Sequence, residues 1–112
     1  MTKLKNYELQ VIRLLTSGTL SPEQCEAIIR EGRIVNYEYT GSGYFLSLSH
    51  PSLPQARTVC HRPIVTGHYD KENCGFVIFI EKGELLFECH TWGEVDLSES
   101  FREKDVQIKV AA

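Results

Sequence analysis

The side chains of this chain best suited to metal or nucleophilic chemistry are cysteines and histidines in its second half. They form two dipeptides with two single residues between them: Cys60-His61, His68, Cys74 and Cys89-His90. Neighbouring residues of a strand point to opposite faces, so neither dipeptide can easily direct both side chains at one ion or one proton. The C-x-x-C and H-x-x-x-H spacings of structural zinc sites do not occur. We therefore expect no metal and no cofactor.

Carboxylates are the second group that could carry chemistry, and they are concentrated in the C-terminal third. Residues 81–105 contain eight acids and three bases, whereas the whole chain has a net charge of −3. Acid–base catalysis by paired carboxylates needs a pocket that perturbs their pKa values, and nothing in the sequence indicates one. There is also no Gly-rich phosphate loop, nucleophile elbow or dinucleotide fingerprint. The sequence therefore favours a contact surface over an active site.

The acidic segment predicts the residues that would bind a protein partner. They are five carboxylates and one aromatic anchor: Glu84, Glu88, Trp92, Glu94, Asp96 and Glu99. Tryptophan beside an acidic rim is typical of protein interfaces. A net negative charge argues against nucleic acid as the partner, because phosphate contacts require lysine and arginine.

The elements that would position these residues begin with the apolar stretch CGFVIFIEKGELLFECHTW, residues 74–92. Two runs rich in β-branched and aromatic residues flank a polar turn, which predicts a hairpin in which Gly83 supplies the positive φ. Both faces of the first run are apolar, which predicts a central strand covered on both sides. On the second run, Glu84 and Glu88 share a face with Leu86 and His90, opposite Cys89.

Two amphipathic helices are predicted before the strands, one from Leu4 to Leu15 and one from Pro22 to Glu31. Ser21 has the position of an N-cap, and Gln24 completes a capping box. A helix-turn-helix reader of DNA is disfavoured, because the second helix carries three glutamates and one arginine.

The remaining strands are predicted by alternation. They are Arg33 to Tyr39, Tyr44 to Ser49, a short piece from Thr58 to His61, Ile64 to Gly67, and a closing strand from Val106 to Val110. Helices followed by a run of strands predict the α+β class. We expect a single domain over residues 1–112, with two N-terminal helices packed on one face of a mostly antiparallel five- to six-stranded sheet.

The compartment expected from the sequence is the cytoplasm. No apolar run reaches the roughly 18 residues of a membrane span, and the N-terminus lacks the pattern of a secretory signal. The four cysteines are accordingly expected to be reduced and buried.

The pattern GFVIFIEKGELLFECHTWGEVDL…FREKDV resembles the C-terminal half of small uncharacterised bacterial proteins. With the size and charge layout, the chain is similar to immunity proteins of bacterial toxin–immunity pairs, including contact-dependent inhibition systems. The resemblance implies a non-enzymatic, cytoplasmic inhibitor of a cognate toxin domain, often a basic nuclease.

Two alternatives stay open. The first is a small adaptor or regulatory domain that binds a protein or peptide, with homodimerisation through an exposed sheet edge. The second and less favoured is an enzyme or metal protein that depends on Cys60, His61, His68 and Cys74.

Overall fold

The structure, a computed structural model, describes residues 3–91 and 96–111. Its helices are α1 (Asn6–Thr16), α2 (Pro22–Glu31) and a 3₁₀ helix, η1 (Glu99–Glu103). Its strands are β1 (Arg33–Tyr39), β2 (Gly43–Ser49), β3 (Thr58–Cys60), β4 (Ile64–Tyr69), β5 (Glu72–Glu81), β6 (Glu84–His90) and β7 (Gln107–Ala111). Within the described ranges, no helix is both long and apolar enough to span a membrane.

All seven strands belong to one antiparallel sheet, in which six follow the order β1-β2-β6-β5-β4-β7 and β3 pairs with β5. The ten-residue strand β5 is central, since β6 pairs along one side while β4 and β3 pair with separate halves of the other side. The predicted α+β class, with two N-terminal helices packed on an antiparallel sheet, is confirmed. The sheet has seven strands rather than five or six, because the three-residue strand β3 also joins it.

Local signals set the boundaries of α2 where the sequence predicts them. The Ser21 hydroxyl accepts a hydrogen bond from the Gln24 N–H at 3.1 Å, and the Gln24 side chain accepts one from the Ser21 N–H at 2.9 Å. Ser98, in contrast, makes no side-chain cap on η1. Its hydroxyl and N–H both donate to the Glu72 carboxylate, at 3.0 and 2.6 Å.

The helices cover one side of the sheet, which we call the inner face. Alternate residues of the central strands point into a single apolar core on this side. On β5 and β6 these are Cys74, Phe76, Ile78, Ile80, Leu85, Phe87 and Cys89, all buried. The opposite side, which we call the outer face, carries Val77 and Phe79, and both are only half-buried. The predicted central position of β5 is confirmed, whereas its outer face is covered only in part within the described structure.

Strand β1 departs from simple alternation. Its register against β2 shifts between Ile34 and Asn36, so that Ile34 and Tyr37 both point toward the inner face. Val35 lies at the irregularity and is exposed. Uninterrupted alternation predicts that Val35 shares a face with Tyr37, and the shift overturns that prediction.

A charged group lies in the middle of the core. Glu8 on α1 is 0% exposed, and Arg102 on η1 is 5% exposed. The Arg102 Nε and Nη2 groups donate to the two Glu8 carboxylate oxygens at 2.8 and 2.9 Å. The Lys5 N–H donates to Oε1 at 2.8 Å, and the Tyr44 hydroxyl donates to Oε2 at 2.5 Å. Four donors therefore satisfy the buried carboxylate.

Tyr7 completes this arrangement, which we call the Glu8 cluster (Glu8, Arg102, Tyr44 and Tyr7). Because Tyr44 gives its single hydroxyl proton to Glu8, Tyr7 is the donor in the 2.5 Å contact between the two tyrosine hydroxyls. The Arg102 guanidinium carbon also lies 5.3 Å from the centre of the Tyr37 ring. The cluster thus connects α1 and η1 to the inner faces of β1 and β2.

Burial and charge together determine the protonation states of the cluster. Burial lowers the pKa of Arg102, but its hydrogen bonds to Glu8 and the charge of Glu8 outweigh burial and raise the pKa overall. Burial, and next the Glu8 charge, raise the pKa of both Tyr7 and Tyr44 above the ordinary value of 10.0. The arginine is therefore held charged and the phenols neutral.

We predict that Arg102→Met lowers the free energy of unfolding by about 3–5 kcal/mol, because it leaves the buried Glu8 carboxylate without its counter-ion. Replacing both partners, as Glu8→Leu with Arg102→Met, should cost less than Arg102→Met alone, since no uncompensated charge remains. Urea unfolding measures both effects.

The chain contains a matched control for that experiment. Arg13 donates to Glu26 through two nitrogens at 2.9 and 3.0 Å, the same bidentate geometry on an exposed surface. Arg13→Met should change stability little. If Arg13→Met and Arg102→Met lower the free energy of unfolding equally, the prediction that the buried pair matters more than the exposed pair is contradicted.

We also predict that the free energy of unfolding falls in alkali, because the two buried phenols ionise less readily in the folded chain than in the unfolded chain. Because the pKa of both phenols is raised in the folded chain, their contribution to stability is complete below the ordinary pKa of 10.0 and is lost as the pH rises above it. Phenolate absorbance of Tyr7 and Tyr44 should therefore appear only together with unfolding. Tyr69→Phe, which removes the ionisable hydroxyl of an exposed ring, should leave that coupled step unchanged, whereas Tyr44→Phe should reduce its amplitude.

Candidate protein-binding surface

The outer face of the sheet is organised in rows of side chains that run across the strands. Residues that pair across neighbouring antiparallel strands lie with their Cβ atoms about 4.5–5.5 Å apart. The first row is Glu38, Phe45, Glu88 and Val77, and the second is Asn36, Ser47, Leu86, Phe79 and Val59. The third row is Arg33, Ser49, Glu84 and Glu81.

An apolar strip occupies the centre of this face. Leu86 opposes Phe79 across the β5–β6 pair, and Phe79 opposes Val59 on β3. Leu86 and Phe79 are half-buried, and Val59 is 37% exposed. These side chains present contiguous apolar surface on the side of the sheet away from the helices.

Carboxylates border the strip on both sides. Glu88 lies between Phe45 and Val77 in the neighbouring row and is half-buried. Glu84 directly opposes Glu81 at the end of the hairpin, and both are exposed. Two like charges in direct opposition across a strand pair are unfavourable unless a cation joins them.

Ion pairs involve several acids on the helix-bearing side. There Glu8, Glu26, Glu31 and Glu103 each contact a basic side chain, whereas Glu23 and Glu99 belong to none of the ion pairs found in the described structure. The bonds from His50 and Arg30 lower the pKa of Glu31, and the bond from Lys5 lowers the pKa of Glu103. On the outer face, none of the ion pairs found within residues 3–91 and 96–111 involves Glu38, Glu81, Glu84 or Glu88.

A shallow depression lies at the hairpin end of the outer face. It has a volume of about 240 Å³ and is lined by Phe79, Glu81, Lys82, Glu84 and Leu86. The turn that shapes it has φ of 53° at Lys82 and 76° at Gly83, so both central residues have the left-handed conformation typical of a two-residue hairpin. The positive φ predicted for Gly83 is confirmed.

The structure separates the residues predicted to bind a partner. Glu84 and Glu88 lie on the outer face, as alternation predicts. Asp96 is exposed. Glu99 belongs to η1, whose Phe101 packs edge-on against Tyr7 on the inner side, so it lies away from the outer face. Trp92 and Glu94 are outside the described residues.

The cysteines and histidines do not converge in the described structure. All four cysteines are free and buried, whereas His61 and His68 are exposed. His68 pairs with Asn73, next to Cys74, and strand alternation places His68 on the outer face and Cys74 on the inner face. Within the described ranges, no group of three or more metal-binding side chains is found.

The environment of Cys89 is apolar, as its place in the strand predicts. A hydrogen bond with the Cys74 thiol, together with burial, raises the pKa of Cys89. A catalytic thiol requires the opposite shift. The Cys60 thiol contacts the Thr19 hydroxyl at 3.7 Å, beside the loop between the helices.

Sequence reasoning missed the Glu8 cluster and two outer-face acids, Glu38 and Glu81. A signal for Glu8 was present in the sequence. When α1 is viewed down its axis, Glu8 falls between Ile12 and Leu15, in the middle of the apolar stripe. A charge at such a position needs a buried partner. The identity of that partner, Arg102, depends on tertiary structure.

Comparisons of this chain with protein-family models, with curated proteins and with solved structures gave no match.

Proposed function

We propose that this chain is a non-enzymatic immunity protein, which binds and neutralises a cognate bacterial toxin domain through the outer face of its sheet. The observation that supports this proposal is an apolar strip bordered by carboxylates without basic partners in the described structure. Exposed apolar surface with a polar rim is a feature of protein interfaces.

The acidic residues of the face support the proposal of a basic partner. Glu84 and Glu88 contribute two negative charges on one strand, and Glu38 and Glu81 extend the charge onto the strands at either side. A complementary surface would be basic, as in a nuclease domain that binds phosphates. An acidic face of this kind would compete with nucleic acid for the toxin and would steer the two proteins together.

The apolar strip would provide the part of the affinity that does not depend on salt. Leu86 and Phe79 retain accessible surface that a partner can cover, at roughly 25 cal/mol for each Å² of apolar area removed from water. The bordering carboxylates would then determine orientation and the rate of encounter. A cytoplasmic location and membership of a contact-dependent inhibition system are part of the same proposal.

A second candidate function is that of an adaptor or homodimer that pairs through a sheet edge. Strand β7 supports it, because among the strands of residues 3–91 and 96–111 it pairs only with β4, and its Val110 is 44% exposed. Edge strands offer unpaired backbone groups to another chain. This candidate predicts a dimer of the chain alone, which native mass spectrometry detects.

We predict that Glu84→Lys with Glu88→Lys slows association with the cognate partner by about tenfold or more and leaves the fold intact. The tagged chain, purified from its native host, supplies the partner at one-to-one stoichiometry. Stopped-flow association at low and high salt then measures the rate and its dependence on charge. Expression of the partner alone should arrest growth, and coexpression of the wild-type chain should prevent the arrest.

The matched control is Glu23→Lys with Asp105→Lys. It makes the same change in net charge at exposed positions on α2 and just before β7, away from the outer face. This variant should associate almost as fast as the wild type and should still protect cells. If both double variants slow association equally, the effect is one of total charge, and the outer face is not the interface.

A further inference from the structure

The depression at the end of the β5–β6 hairpin has the chemistry of a receptor for one side chain. Phe79 and Leu86 supply its apolar part, and Glu81 and Glu84 supply carboxylates from two adjacent strands. Because these two glutamates oppose each other directly, a cation that enters the depression can contact both of them. The cation would also remove their mutual repulsion.

The combination of an aromatic ring and two carboxylates favours a guanidinium over an ammonium. A guanidinium is planar and weakly hydrated, stacks on an aromatic face and donates paired hydrogen bonds to carboxylates. An ammonium is compact and strongly hydrated, and it would lose more hydration energy against Phe79 and Leu86.

The interior of the same protein contains this arrangement already. Arg102 donates two hydrogen bonds to the Glu8 carboxylate while its guanidinium carbon lies 5.3 Å from the centre of the Tyr37 ring. The depression presents the same groups, an aromatic ring and carboxylates, but without an arginine among the described residues that line it.

We infer that this depression receives an arginine side chain of the protein partner, held between Glu81 and Glu84 against Phe79. The inference rests on the proposed function, and it names the residue type by which the partner is recognised. Arginine is among the residues that most often dominate binding energy at protein interfaces.

Lys82 opposes the binding of an arginine in the depression. It lines the depression and contributes a positive charge beside the two carboxylates. Its replacement should therefore tighten the binding of an arginine, whereas replacing either glutamate should weaken it. Lys82→Asn suits the φ of 53° at this position, because asparagine tolerates the left-handed conformation.

The test uses the isotope-labelled full chain titrated with N-acetyl-arginine amide and followed by nuclear magnetic resonance. We expect saturable shifts confined to the β5–β6 turn and to Phe79 and Leu86. The lysine analogue should bind more weakly, and the uncharged citrulline analogue should produce no shifts. Glu84→Gln should lower the affinity for the arginine probe by about tenfold, and Lys82→Asn should raise that affinity.

Glu23→Gln on α2 is the control, and it should leave the titration unchanged. Absence of saturable shifts, equal binding of the arginine and lysine probes, or weaker binding by Lys82→Asn would each overturn the inference. The proposed function fails separately. It fails if charge reversal at Glu84 and Glu88 leaves the rate of partner association unchanged. The inference alone fails if that reversal slows association but Glu84→Gln leaves the affinity for the arginine probe unchanged.

Discussion

The ion pair between Glu8 and Arg102 is the interaction on which the arrangement of this protein depends. A fully buried carboxylate is tolerated because two arginine nitrogens, a backbone N–H and the Tyr44 hydroxyl satisfy it. These donors come from η1, from β2 and from Lys5 just before α1, and the acceptor Glu8 lies on α1, so the pair holds α1 and η1 on the same side of the sheet. Buried pairs of this kind contribute little net stability but impose a heavy penalty when broken.

The outer face follows from this arrangement. With both helices and η1 on the inner face, Leu86 and Phe79 stay half-buried, and the acids beside them have no basic partner within the described residues. The inner face contains the same chemistry in a satisfied form, with glutamate paired to arginine and arginine stacked on tyrosine. The physical basis for proposing a basic protein as the partner is the outer face itself, because its Glu38, Glu81, Glu84 and Glu88 belong to none of the ion pairs found in the described structure.

Local signals in the sequence predicted much of this fold. The capping box of Ser21 and Gln24 and the positive φ of Gly83 depend on residues a few positions apart, and both are confirmed. The predicted alternation placed Glu84 and Glu88 on one face for the same reason.

Features that depend on distant residues were not predicted. Arg102 lies 94 positions after Glu8. The irregularity at Val35 depends on the register with β2. The position of Glu99 depends on the packing of Phe101 against Tyr7. Hydroxyl-radical footprinting of the chain, free and bound to its copurified partner, would test most directly whether the outer face is the interface. Binding should protect Phe79 and Leu86 and leave the half-buried Leu9 and Ile29 on the helices unchanged, and the reverse pattern would contradict this interpretation.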